Sequence, residues 1–259
     1  MSIASLKLIC LDYIRDASGV ARVYFNRPSQ YNAMNTALMQ ELILLLQELV
    51  KEEDLKLLVL EGRGKAFMAG ADIVEYARFS ESDFTQFQST SARIYELIEQ
   101  APFPVLAAIN GFAVGGGFEI ALACDLRVAK PAAKMGLPEV KLGLIPGGGG
   151  TQRLIELAGL SVARELLLTG RLYSARDMYN RHLVSEIIEE EVWENRLGEI
   201  MDELRVIPRQ SIKKIKALTS SALLHESFTQ RLNREAQAVN ELFNTPVATE
   251  KIQSFVQKK

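Results

Sequence analysis

Two cysteines and two histidines are all that the 259 residues offer of the strongest metal-ligating side chains. Cys10 and Cys124 have no CxxC spacing, and His182 and His225 are too scattered to share an ion, so no metal site is expected. No apolar run is long enough to span a bilayer. Met1 to Arg15 alternate like a strand instead of forming the apolar block of a signal peptide, and the expectation is a soluble, cytoplasmic protein. There is also no excess of basic charge: 30 Lys and Arg stand against 32 Asp and Glu, a formal charge of −2. That lacks the footprint of a nucleic-acid binder, so any phosphate must be held locally. Tandem repeats, low-complexity tracts and long charge runs are missing. So are GxGxxG, GxxxxGK[ST] and GxSxG, which weakens Rossmann, P-loop and serine-hydrolase readings.

What is present is a chain that is 48% hydrophobic and 24% charged, long enough for one large domain or a domain with an appendage. Ala4 to Asn26 reads as a hairpin about Asp16-Ala17-Ser18-Gly19, where glycine supplies a turn's positive φ. Thr36 to Asp54 reads as a helix, with Leu38, Leu42, Leu45, Leu46 and Leu49 forming a core-facing stripe. Leu55 to Glu61 and Val105 to Asn110 are short apolar runs suited to buried strands, with a helix from Asp83 to Gln100 between them. From about Glu190 the pattern becomes helical: Val192 to Ile207, Arg209 to Leu224, Ser227 to Phe243 and Val247 to Gln257, with breaks at Pro208 and Pro246. The expected organisation is a mixed α/β body over residues 1–190 and a helical region over 191–259.

Glycine is densest in Gly111-Phe-Ala-Val-Gly115-Gly116-Gly117-Phe-Glu119 and in Pro146-Gly147-Gly148-Gly149-Gly150-Thr151. Such runs bring backbone close to backbone or ligand and free N–H groups to converge on one acceptor; simple close packing of turns is the plainer alternative. Gly115 to Gly117 stand between a strand and the apolar helix Phe118 to Cys124, whose start offers unpaired donors to a phosphate or to developing negative charge. Glu119 falls one turn into that helix among Phe118, Ile120, Ala121, Leu122 and Ala123. It serves either the helix dipole or, desolvated, as a base. Glu139 sits in an apolar loop punctuated by Pro and Gly, Met135 to Pro146, and reads as half of a carboxylate pair or as an exposed partner of Lys134 or Lys141.

At these residues the sequence resembles the crotonase superfamily, specifically enoyl-CoA hydratases. Four pieces occur in the family's order: Asn26-Arg-Pro-Ser-Gln-Tyr-Asn-Ala-Met-Asn35; Lys65-Ala-Phe-Met-Ala-Gly-Ala-Asp-Ile73; Asn110 to Glu119; and Leu137-Pro-Glu139 through Ile145-Pro-Gly-Gly-Gly-Gly-Thr-Gln-Arg153. The match extends over nearly the whole chain.

The resemblance implies a crotonase-like spiral of ββα units and C-terminal helices that make trimers, often paired into hexamers. It implies hydration of an α,β-unsaturated acyl-CoA thioester without a cofactor, coenzyme A being part of the substrate. The thioester oxygen would be held by the N–H groups of Ala71 and Gly116. Glu119 matches the glutamate that activates water for C3, and Glu139 the one that exchanges a proton with C2. Gly147 would shape the water site through its backbone. Coenzyme A would lie along Arg27, Ala33 and Met34, with its adenine near Ala69, Asp72 and Ile73, and Lys258 matches a basic residue that reaches a CoA phosphate. Met68 departs from the smaller residue of many hydratases and would reshape the acyl end beside Met34, Phe67, Ile73 and Tyr76. Isomerase or decarboxylase chemistry on the same oxyanion hole, and a non-enzymatic RNA-binding relative, are the alternatives that the superfamily carries.

Overall fold

The computed structural model describes residue 3, residues 6–220 and residues 223–257. The chain divides into two compact units, Met1–Arg205 and Val206–Lys259.

The first unit opens with the hairpin, β1 (Leu11–Arg15) antiparallel to β2 (Val20–Phe25). Asp16 fastens its turn, with Oδ1 accepting the N–H groups of Ser18 and Val20 at 2.8 and 3.1 Å, and Gly19 takes the positive φ of +87°. Helix α1 (Thr36–Lys51) starts at Asn35, whose side chain accepts the Leu38 N–H at 3.0 Å, a cap worth about 1 kcal/mol. All five leucines of its expected stripe are buried.

Strand, short strand and helix then follow one another three times: β3 (Leu57–Gly62), β4 (Ala66–Met68), α2 (Ile73–Tyr76) and α3 (Glu81–Glu99); β5 (Val105–Ile109), β6 (Phe112–Val114) and α4 (Gly116–Ala123); β7 (Leu126–Ala129), β8 (Lys134–Gly136) and α5 (Gly150–Thr169). The unit closes with β9 (Tyr173–Ser174), α6 (Ala175–Asn180), β10 (Glu186–Ile187) and α7 (Trp193–Arg205). The first strand of each repeat joins one sheet, ordered β1-β2-β3-β5-β7-β10, and the second joins another, ordered β4-β6-β8-β9. Within each sheet the repeated strands are parallel neighbours. Every repeat therefore advances both sheets by one strand, which is the expected spiral of ββα units.

The apolar run of β3 is continuous because both faces are covered. Leu58 and Leu60 belong to the core that contains α1, α3 and α4, while Leu57 and Val59 belong to a second core with Trp193, Leu197 and Ile200 of α7. The Trp193 Nε1–H also donates to Glu61 Oε1 at 3.1 Å. Helical character thus begins near residue 190, but α7 is fixed to the sheet and the first compact unit runs on to Arg205.

The second unit holds α8 (Arg209–Leu218), α9 (Phe228–Phe243) and α10 (Pro246–Gln257). Ser227 and Gln230 form a capping box at the start of α9. Pro246 is the first residue of α10, not a break before it, since a first-turn N–H has no helical partner to lose. Among the described residues no helix is long and apolar enough to cross a membrane.

Candidate active site

Because β4 and β6 are parallel neighbours, their C-terminal ends emerge side by side, and the two motif segments that follow them meet. Gly70 and Gly115 make this approach possible. Both have positive φ, +92° and +54°, and a Cβ on Gly115 would stand 3.6 Å from the Gly70 Cα and 2.9 Å from Glu139 Oε1. One residue beyond each glycine come Ala71 and Gly116. Neither of their N–H groups donates to another group among the described residues, and both residues line the same cavity. The Gly116 N–H is the first of α4, where donors lack helical partners.

Glu119 lies one turn into α4 and is only 3% exposed. Its Oε1 accepts two backbone N–H groups, from Gly148 and Gly150, each at 2.8 Å. The second glycine run thus closes on the carboxylate instead of on a phosphate. Burial pushes the Glu119 carboxyl up, against the opposing pull of those two donors and of Arg153. No protein donor reaches Oε2 among the described residues, and the side chain faces the cavity.

Glu139 begins a 3-10 turn, Glu139–Leu142, directly after Pro138. It pairs with neither Lys134 nor Lys141 among the described residues. Its Oε2 is sealed from solvent and accepts no hydrogen bond. Burial first, and then the charge of Glu119, raise its pKa to about 7, with one backbone hydrogen bond opposing. Two carboxyls, one of which raises the pKa of the other, thus open on one cavity with the two free N–H groups.

That cavity encloses about 800 Å³ including its open mouth. Tyr76, Phe84 and Phe87 form its aromatic wall, with the Tyr76 and Phe87 rings edge to face at 4.9 Å. Leu142, Leu144 and Ile145 form an exposed apolar lip. Gly147 lines it too, against the Gln88 carboxamide, and Tyr95 stands behind Gly148. Tyr95 and Gln88 were not singled out from the sequence. Their signal is a spacing on α3, where Phe84, Gln88, Ser91 and Tyr95 recur every three or four residues and all line the cavity.

Met68, expected beside the acyl end, does not line the cavity: it is fully buried, and its carbonyl packs where Gly117 passes, a Cβ on Gly117 standing 2.1 Å from it. Phe67 likewise turns into the core, edge to face on Phe25 at 5.2 Å. Met34, Ile73 and Tyr76 do line the cavity.

The expected coenzyme A segments run beside one another, joined by the bridge of Met34 with Ala71. The Ala69 N–H donates to Tyr31 O at 3.0 Å and the Asp72 N–H to Met34 O at 2.9 Å. Arg27 braces the pair, bonding Asp72 at 3.0 Å and the Ala33 carbonyl. Arg27 and Asp72 face a second, shallower depression with Arg78 and Phe79, while Ala69 and Ile73 face the main cavity. Asn32, unremarked in the sequence, is wholly buried and holds the segment: its Nδ2 donates to the carbonyls of Ala66 and Arg63 at 2.7 and 3.0 Å, and its Oδ1 accepts the Arg27 N–H at 2.8 Å. Lys258 lies outside the described residues. Among the described residues no three His, Cys, Asp or Glu side chains gather as metal ligands.

The family model described as enoyl-CoA hydratase/isomerase matches residues 15–259. The short-chain-enoyl-CoA hydratase of Clostridium acetobutylicum is 33% identical over 93% of this chain and 92% of its own length. The crotonyl-CoA hydratase of Syntrophomonas wolfei is 34% identical over the same shares, 93% and 92%. Among solved structures, an enoyl-CoA hydratase of Bacillus anthracis superimposes with a TM-score of 0.92, at 34% identity and 97% coverage of both chains. The chain belongs to the enoyl-CoA hydratase/isomerase family.

Proposed function

We propose that the protein adds water across the double bond of a trans-2-enoyl-CoA thioester to give the 3-hydroxyacyl-CoA. The observation that carries this is the opening of Glu119, Glu139 and the N–H groups of Ala71 and Gly116 on one cavity.

As C3 takes the water oxygen, the π electrons shift to C2 and charge gathers on the thioester oxygen. The Ala71 and Gly116 N–H groups meet that charge, each such donor being worth about 3 kcal/mol in the transition state. Glu119, held by two N–H donors that favour its ionised form, takes the water proton, and Gly147 shapes the water site through its backbone. Glu139, which has no donor on Oε2 and a pKa raised to about 7, delivers a proton to C2. Protons move and no net electrons do, so no redox cofactor enters the reaction; coenzyme A arrives with the substrate. Its body lies along residues 27–35 and 69–73, with Lys258 as a further phosphate contact. Isomerase and decarboxylase chemistry needs the same hole, but two carboxyls on one cavity suit the gain of a water proton and the loss of one to carbon.

The same reading places the enzyme in the cytoplasm as a trimer or a hexamer of two trimers. Support comes from α9, where Phe228, Leu232, Val239 and Phe243 recur along one face and are 68%, 45%, 58% and 66% exposed. A panel of enoyl-CoA thioesters tests the function: added protein should remove the conjugated-thioester absorbance of at least one short-chain member, and inertness toward all of them overturns the reading.

A further inference from the structure

Tyr95 is 2% exposed, and what remains open of it lines the active-site cavity. The hydroxyl is not sealed in the core but opens on the cavity, where a bound molecule or a neighbouring carboxylate can accept a hydrogen bond from it. The ring itself is tightly set. A Cβ on Gly148 would stand 2.4 Å from it, and the Arg153 guanidinium lies 5.3 Å from its centroid, tied in turn to Glu99 at 2.6 Å and to the Gly148 carbonyl. The hydroxyl end points into the active site: a Cβ on Gly116 would be 3.6 Å from it, and Tyr95 lines the cavity. So the one edge of this ring that carries a polar atom is turned toward the reacting groups.

We propose that Tyr95 is a positioning residue for Glu119: with the thioester bound, its hydroxyl donates to the Glu119 oxygen that Gly148 and Gly150 leave free, and keeps that carboxylate ionised and aimed at the water. This rests on the hydratase reading. Hydrogen bonds of catalytic groups are often long in an unliganded site and tighten when substrate binds. The charged and titratable groups around the phenol are Glu119 on α4, Glu139 on its 3-10 turn, Tyr76 on α2 and Arg153 on α5. Burial, and next the charge of Glu119, hold the Tyr95 phenol well above its ordinary range, so it stays a donor at every working pH.

A donor favours the charged form of its acceptor, so removing it must raise the pKa of Glu119. The test is Tyr95→Phe. Expected are a fall in kcat of about tenfold, a KM within about twofold of the parent, a lower limb of the pH–rate profile moved to higher pH, and a Tm close to the parent's. A second readout needs no turnover: ¹³C titration of labelled glutamate carboxyls with a saturated acyl-CoA bound, the Glu119 signal assigned by its loss in Glu119→Gln. A Glu119 titration moved upward in Tyr95→Phe upholds the role even if hydration of every enoyl-CoA fails. An unmoved titration overturns it even if hydration is seen.

Discussion

Glu119 Oε1 lies 2.8 Å from the Gly148 backbone nitrogen, 29 residues away in sequence. This contact ties the start of α4 to the glycine run before α5, and so fixes one carboxylate relative to the free Gly116 N–H at the head of that helix. The raised pKa of the other, Glu139, follows from its burial first and then from the charge of Glu119.

Glu139 should make stability depend on pH. Its carboxyl is raised from 4.5 to about 7 in the folded protein, so between those values the native state binds the extra proton and stability falls as pH rises. The cost of the buried charge is fully present above about 7. Glu139→Gln removes it, so the variant's Tm should exceed the parent's at pH 8 and the gap should close toward pH 5. A gap independent of pH would show that Glu139 is not buried as a charge.

Gly115→Ala introduces a Cβ at φ +54°, 2.9 Å from Glu139 Oε1. Backbone strain of this kind costs about 1–3 kcal/mol. Thermal unfolding should show a lower Tm, and kcat should fall further than the stability loss explains, because the methyl displaces the carboxylate. A variant with parental kcat would separate Gly115 from the site.

Asn32→Asp keeps the size of a wholly buried side chain but strips its amide donors from the Ala66 and Arg63 carbonyls. Each buried acceptor left alone costs about 1–3 kcal/mol, so chemical denaturation should register a loss of several kcal/mol. Surviving folded protein should bind coenzyme A more weakly, since Asn32 also orders the Arg27 backbone.

Arg153→Leu cuts the ties to Glu99 and to the Gly148 carbonyl together. The loop that holds Glu119 then loses its brace. Steady-state kinetics should show kcat down by about tenfold, an orientation effect, with KM little changed. Equal kcat would mean that the Gly148 and Gly150 donors hold Glu119 unaided.

Much of the fold was legible where one local rule governs. The α1 leucines repeat on one face, and β3 reads as a doubly covered strand. Helix α5 was not placed, because Gly159 interrupts it at φ +80° and exposed Ile155, Leu157, Leu160 and Leu168 blur any single stripe. Strands β9 and β10, two residues each, carry too little pattern to be read. In the site, Glu119 stood out as a glutamate among apolar residues, whereas its Gly148 and Gly150 donors depend on a long-range meeting that no spacing encodes. Met68 was read from its size against the smaller residue of many hydratases, and residue size alone does not decide which way a β4 side chain points. Tyr95 was passed over because a tyrosine at helical spacing ordinarily reads as core, and only its place on the cavity wall marks it.

The central claim is that both carboxyls and the backbone hole act together in hydration, and the most direct measurement is turnover of crotonyl-CoA by the parent, Glu119→Gln and Glu139→Gln under saturating substrate. Each substitution keeps side-chain size, and each should cut kcat about a hundredfold or more while the Tm stays near or above the parent's. Parental turnover in both variants would contradict the account.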